Sequence, residues 1–211
     1  MKWGRTGAIV ALLAAAGAGG QAALPLHRPD SAQALLDAQP EDLREELLDV
    51  RMVLLPSDGL PEGQVEALVL FAQPPDKVWE LLIQRDRQKE FRPEITALSI
   101  IEQSSERVVE EQHLKIAFLD VAYRLECRVD TGTRTMTWQL DPSFESTLEH
   151  VSGYWELHPL DGGRTLARFG TKVSVSPAVP GFLQSRITRK NVPEGLLNTR
   201  QWVDSNGRWR P

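Results

Sequence analysis

The sequence predicts an α+β fold: one antiparallel sheet with few helices, closed by a long helical region near the C-terminal end. Three observations carry this. From Ile95 to Ser176, short runs follow one another between polar or glycine-containing turns, the pattern of an antiparallel meander. A helix with prolines at its start, "PPDKVWELLIQRD", precedes them, with Val78, Leu81 and Leu82 at helical spacing. After them, "VPGFLQSRITRKNVPEGLLNTRQWVDS" reads as helical, with Phe182, Leu183, Ile187, Leu196, Leu197 and Val203 as its apolar side. Pro193 should break or kink that region near Val192.

The N-terminal elements come first along the chain. Lys2 and Arg5 precede the apolar, small-residue stretch "TGAIVALLAAAGAGG", and Gly20 and Ala22 suit signal peptidase. This is the pattern of a secretory signal over residues 1–22, and the stretch is too short and too rich in Gly and Ala to favour a permanent membrane span. Its removal would take two positive charges and shift the formal charge from -5 to -7. Residues 23–63 then form a helical arm and a first strand. "DSAQALLDA" and "PEDLREELLDV" are its helices, the second striped by Leu43, Leu47, Leu48 and Val50 and expected to pack on the domain. "VRMVLL" and "QVEALVLFA" are strands on either side of the turn-rich "PSDGLPEG".

The meander supplies "ITALSIIEQ", "RVVEEQHLKIAF", "DVAYRLECRVD", "RTMTWQLD", "TLEHVSGYWELHP" and "RTLARFGTKVSVS". Strand alternation puts Val121, Tyr123, Leu125, Cys127 and Val129 on one face, which must turn inward. A tight turn at Thr131-Gly132 would pair Cys127 with Met136 and Leu125 with Trp138, bringing Met136, Trp138 and Leu140 to the same face. In the next hairpin Val151, Gly153, Trp155 and Leu157 match Thr165, Ala167, Phe169, Thr171 and Val173, while Glu149 falls where a bulge would interrupt the alternation. Tyr154, Glu156 and His158 take the other face with Leu166 and Arg168, and the Glu, His and Arg are expected to point to water.

Composition bounds the function. With 211 residues the chain can bury a sizeable core. A net charge of -5 without a basic cluster weighs against a nucleic-acid or anionic-membrane partner, with transient membrane contact left open. The sole cysteine, Cys127, precludes an intrachain disulfide and reads as a buried apolar side chain. His27, His113, His150 and His158 lack helical metal-ligand spacing, and no nucleophile elbow, P-loop or dinucleotide fingerprint occurs. No metal, cofactor or catalytic set is therefore predicted. Glu110 and Gln112 share a strand face with Val108, Leu114 and Ile116; an exposed, edge-like strand is expected there, because buried acids need partners. His150 likewise reads as a surface or hydrogen-bonded histidine.

The segments "FAQPPDKVWELLIQ", "FRPEI", "GYWELHPLDGGRTLARF" and "NVPEGLLNTRQWV", in that order, resemble the START-like superfamily, which includes polyketide cyclase/dehydrase-type proteins. The resemblance runs over about Val65 to Asp204 and assigns 64–206 to the domain. It implies a helix-grip fold: a curved antiparallel sheet around a long C-terminal helix, with an apolar cavity between them. It also implies a hydrophobic ligand, such as a lipid, sterol or polyketide, and carries over no catalytic residue. Tyr123, Leu125, Cys127, Met136, Trp138, Trp155 and Phe169 would line the sheet side of the cavity, and Phe182, Leu183 and Ile187 the helix side. The expected function is that of an exported, non-catalytic binder or carrier. A cyclase/aromatase-type enzyme is the alternative and would need Glu110, Tyr123 or His150 inside the cavity. A third reading, docking of a partner by the arm, would need an exposed stripe at Leu43, Leu47 and Leu48.

Overall fold

The computed structural model describes residues 24–26, 31–116, 119–175 and 181–211, the side chains at 181 and 183 excepted. The expected signal, residues 1–22, lies outside the described residues. Helices α1 (Ala32–Asp37) and α2 (Glu41–Val50) lead into strands β1 (Met52–Leu54) and β2 (Gln64–Phe71). Helix α3 (Pro75–Leu82) runs into a 3-10 turn, Arg85–Glu90. The meander follows as β3 (Ile95–Gln103), β4 (Arg107–Ile116), β5 (Leu119–Asp130), β6 (Thr135–Leu140), β7 (Leu148–Leu160) and β8 (Arg164–Val175). Helix α4 (Gly181–Arg186), a π turn (Ile187–Asn191) and α5 (Val192–Asp204) close the chain.

All eight strands form one antiparallel sheet in the order β1-β2-β8-β7-β6-β5-β4-β3. Each meander strand pairs with its sequence neighbour, and β2 returns to cover β8. Register shifts lie in β3 and between Leu148 and His150, where the alternation of β7 was expected to falter. Extra residues of this kind bend a sheet and increase its twist.

One hairpin differs from expectation in register but not in face. Cys127 lies opposite Trp138 and Val129 opposite Met136, two residues from the pairing a tight turn would give. The loop is longer, with Arg134 in the left-handed region at φ 50. A slip of two residues preserves side-chain parity, so Val121, Tyr123, Leu125, Cys127 and Val129 still turn inward.

The larger core lies between this inner face and helices α3 and α5. The C-terminal helix is tied down at both ends. Trp202 is wholly buried, packs on Phe91 and donates from Nε1 to Glu90 Oε2 at 3.1 Å. Asp204 Oδ1 accepts from the backbone N–H of Ala72 at 2.8 Å. At the other end Gln184 imitates a strand: its Nε2 donates to the carbonyl of Val173 at 2.7 Å, and its Oε1 accepts from the N–H of Val175 at 3.1 Å. The helix is not broken before Pro193; the irregularity expected near Val192 takes the form of the π turn. The helix continues through the π turn, because a wider turn relieves the collision between a proline ring and the carbonyl four residues back.

A second, smaller core forms on the outer sheet face, where Leu35 and Leu47 of the arm pack with Leu68, Leu70 and Leu166. This overturns the expectation that the outward side chains of β7 and β8 face water. Tyr154 is fully buried, Glu156 is 2% exposed and His158 is half-buried. Arg168 donates from Nη2 to Glu66 on the neighbouring strand. Gly170 makes room for this layer, since a Cβ there would meet the Tyr154 ring at 2.3 Å. Period-two alternation assigns a side chain to a face; whether the arm covers that face is a separate matter.

Candidate functional site

The inner sheet face, α3 with its 3-10 turn, and the C-terminal helix enclose a cavity of about 170 Å³. Its body is apolar. The sheet contributes Leu114, Val121, Leu125, Trp138, Trp155 and Phe169; the helical side contributes Ile187, Val192 and Leu196. The Trp138 and Phe169 ring centroids are 5.7 Å apart, and those of Trp155 and Phe169 are 4.8 Å apart. Such tilted pairs add to burial itself. Gly153 makes the arrangement feasible: a Cβ there would sit 2.3 Å from the Trp138 ring, so only glycine lets the indole lie over β7.

A polar cluster borders the same space. Arg85, Gln88, Arg92, Glu94, Gln112 and Tyr123 line it, and Glu110 stands behind them. Arg85 grips Glu110 with two bonds, Nε to Oε2 at 3.0 Å and Nη2 to Oε1 at 2.6 Å. Gln88 Nε2 donates to Oε2 at 3.0 Å, and Gln112 Nε2 to Oε1 at 2.7 Å. Tyr123 Oη then donates to Gln112 Oε1 at 2.9 Å. The fully buried carboxylate thus accepts four hydrogen bonds, and every donated proton in the chain points toward it. Arg92 donates from Nε to Glu94 Oε1 at 2.8 Å. Burial alone would depress the Arg85 guanidinium, but the Glu110 charge, the nearby Cys127, the hydrogen bonds to Glu110 and the Tyr123 phenol together outweigh it, and its pKa is raised. Burial raises the Tyr123 phenol as well.

Tyr123, Leu125, Trp138, Trp155, Phe169 and Ile187 border the cavity, as the faces predicted. Cys127 and Met136 do not. They share the inward face but are fully buried core, with Cys127 near the Arg85–Glu110 pair. Burial pushes the Cys127 thiol up to about 12, which leaves it inert as a nucleophile. Phe182 is 56% exposed on α4 and does not line the cavity. The Leu183 side chain lies outside the described residues.

The expected edge-like exposure of β4 is corrected too. The strand is paired on both sides, by β3 and β5, and Glu110 and Gln112 face inward at 0% exposure. Glu110 is met by Arg85 and Gln88 of the 3-10 turn, more than twenty residues earlier in the chain, and Gln112 by Glu110 and Tyr123. Sequence reasoning missed Arg85 and Gln88, because "RDRQKE" reads as an ordinary polar surface turn, and Arg92 in the "FRPEI" that follows it. The available signal was on β4: an acid and an amide on an apolar face require buried donors. His150 belongs to the outer-face parity, beside Ser152 Oγ at 2.8 Å, and does not border the cavity. Burial lowers its pKa, as does nearby Lys172. Of the side chains the enzyme alternative needs, Tyr123 alone lines the cavity. Among the described residues no three His, Cys, Asp or Glu side chains gather as a metal site.

Known structures share this fold. The Zhui aromatase/cyclase from a Streptomyces species superposes with a TM-score of 0.60 at 19% identity, over 69% of this chain and 95% of that one. A STAR-related lipid transfer protein from Xanthomonas axonopodis gives 0.58 at 13% identity, over 72% and 92%. A START superfamily protein from Mycobacterium smegmatis gives 0.53 at 14%, over 65% and 97%. The chain has the START-like helix-grip fold. No protein-family model matches it, and no curated protein sequence is significantly similar to it. At these identities the likeness establishes the helix grip and leaves the chemistry to the cavity itself.

Proposed function

We propose that this protein is an exported, non-catalytic binder or carrier of a compact hydrophobic molecule held in the helix-grip cavity. The observation that carries this is the aromatic, aliphatic body of the cavity, bordered by a polar cluster whose charges are already paired. Burying apolar ligand surface gains roughly 25 cal/mol per Å² before ordering costs. At about 170 Å³ the space is small. Pockets for drug-sized ligands run from about 300 to 1,000 Å³. A molecule of two or three fused rings suits a space of this size. Transient membrane contact is supported by the exposed Phe182, with Arg186, Arg189 and Lys190 exposed on the same helical segment beside the cavity.

Titrating delipidated protein with fatty acids, sterols and aromatic polyketides, while following tryptophan fluorescence, tests the binding. Trp138 and Trp155 should report it, and Trp155→Ala, once shown to be folded, should weaken it. Failure of every panel member to bind refutes the reading. The ring-closing enzyme is the second reading, favoured by the Tyr123 hydroxyl at the cavity wall. Conversion of a panel member that is lost in Tyr123→Phe while binding persists would replace the carrier. Export is tested by N-terminal sequencing of secreted protein, which should begin near Ala23; an intact Met1 would refute it.

A further inference from the structure

Nothing in the packing of the fold requires position 195 to be glycine. The C-terminal helix runs on through the π turn, so Gly195 lies in helix interior. Only proline is less favourable there. Other glycines have a structural reason. A Cβ at Gly153 or Gly170 would strike a ring at 2.3 Å, and Gly162 and Gly163 turn the β7–β8 hairpin with φ of 78 and 69. At Gly195 φ is not positive, and a Cβ would meet no atom within 4 Å.

The open space beside it is the cavity. Asn191, Val192, Gly195, Leu196 and Thr199 all line it. Residues three and four apart share a helix face, so the half-buried Gly195 stands mid-face, one turn from Asn191 and one from Thr199. Thr199 Oγ1 donates to the Gly195 carbonyl at 2.7 Å, so the bare backbone here carries no unpaired carbonyl toward an apolar molecule. A side chain at this position would project into the space a ligand occupies.

We infer that Gly195 is a specificity-determining residue: its missing side chain lets the rings of the bound molecule lie directly against the helix backbone, and it sets the upper size of that molecule. This deepens the binding reading above and rests on it. Stability and binding then pull in opposite directions at one position, since alanine suits the helix better and the ligand worse.

The test reads both. Gly195→Ala should raise the melting temperature by about 1–4 °C. Naphthalene and phenanthrene, of two and three fused rings, are titrated into the full chain while tryptophan fluorescence is followed. One methylene in a fitted apolar pocket changes affinity by roughly tenfold or more. The alanine variant should lose about that much for phenanthrene and less for naphthalene. Gly195→Leu, also a good helix former, should bind neither probe, and the alanine variant decides alone if the leucine variant fails to fold. A stabilised alanine variant that binds both probes as wild type does overturns the inference and leaves the carrier intact. A lowered melting temperature in Gly195→Ala also overturns it, because the helix itself would then need the glycine. Wild-type protein that binds neither probe overturns the inference and the carrier together.

Discussion

Replacing Glu110 with glutamine keeps its size and removes its charge. The four hydrogen bonds to Glu110 are shared equally between its oxygens: Oε1 serves Arg85 Nη2 and Gln112, and Oε2 serves Arg85 Nε and Gln88. A glutamine turns one of those oxygens into an NH₂, so two contacts become donor against donor. The Arg85 side chain, 11% exposed, would keep its charge with no carboxylate beside it. Removing one member of a buried pair costs about 3–5 kcal/mol. For a protein of this size that lowers the melting temperature by roughly 6–20 °C. Urea unfolding with a two-state fit measures the loss directly. An Arg85→Met/Glu110→Met double substitution should recover most of it, because a well-packed apolar pair avoids the desolvation of both charges. A loss below about 1 kcal/mol for Glu110→Gln, or a double variant as unstable as the sum of its singles, would refute the argument that this carboxylate organises the cluster.

Adjacent leucines of α2 should behave oppositely. Leu47→Ala, at 1% exposure against the outer sheet face, should cost about 2–5 kcal/mol in denaturant unfolding. Leu48→Ala, at 60% exposure, should stay within about 0.5 kcal/mol, and equal effects would show that the arm does not dock as described. Stability should also fall in mild acid. Burial, with Lys172 and Arg168 adding to it respectively, lowers the pKa values of His150 and His158, so below about pH 6.5 the unfolded chain takes up protons that the folded one refuses. The urea midpoint should therefore drop as pH falls from about 6.5 through the lower folded values, and a His150→Gln/His158→Gln variant should lose that drop. An unchanged midpoint in wild type would contradict the lowered pKa of both histidines.

Much of the fold was legible because strand alternation and turn residues are local. Leu125 and Trp138 were placed on the inward face even though their pairing was off by two residues, since parity survives an even slip. Trp155 and Phe169 were matched across their hairpin for the same reason. The rest depended on long-range contacts. The burial of Glu110 is decided by Arg85 and Gln88, and that of Leu166 on the outer face by an arm that folds back over it. Pro193 read as a break because local geometry forbids an ordinary helical turn there. The π turn before it is held by packing at both helix ends, through Gln184 and Trp202, which no window around the proline could reveal. Phe182 carried the right helical spacing and still fell on the solvent side.

Native mass spectrometry of the protein purified from its own source tests the central claim most directly. The account predicts a species heavier than the polypeptide by one small molecule. Organic solvent should extract that molecule, its chemistry should be that of a compact, largely apolar compound, and its occupancy should fall in folded Trp155→Ala. A bare polypeptide mass in every preparation, unchanged after incubation with the panel of apolar candidates, would contradict it.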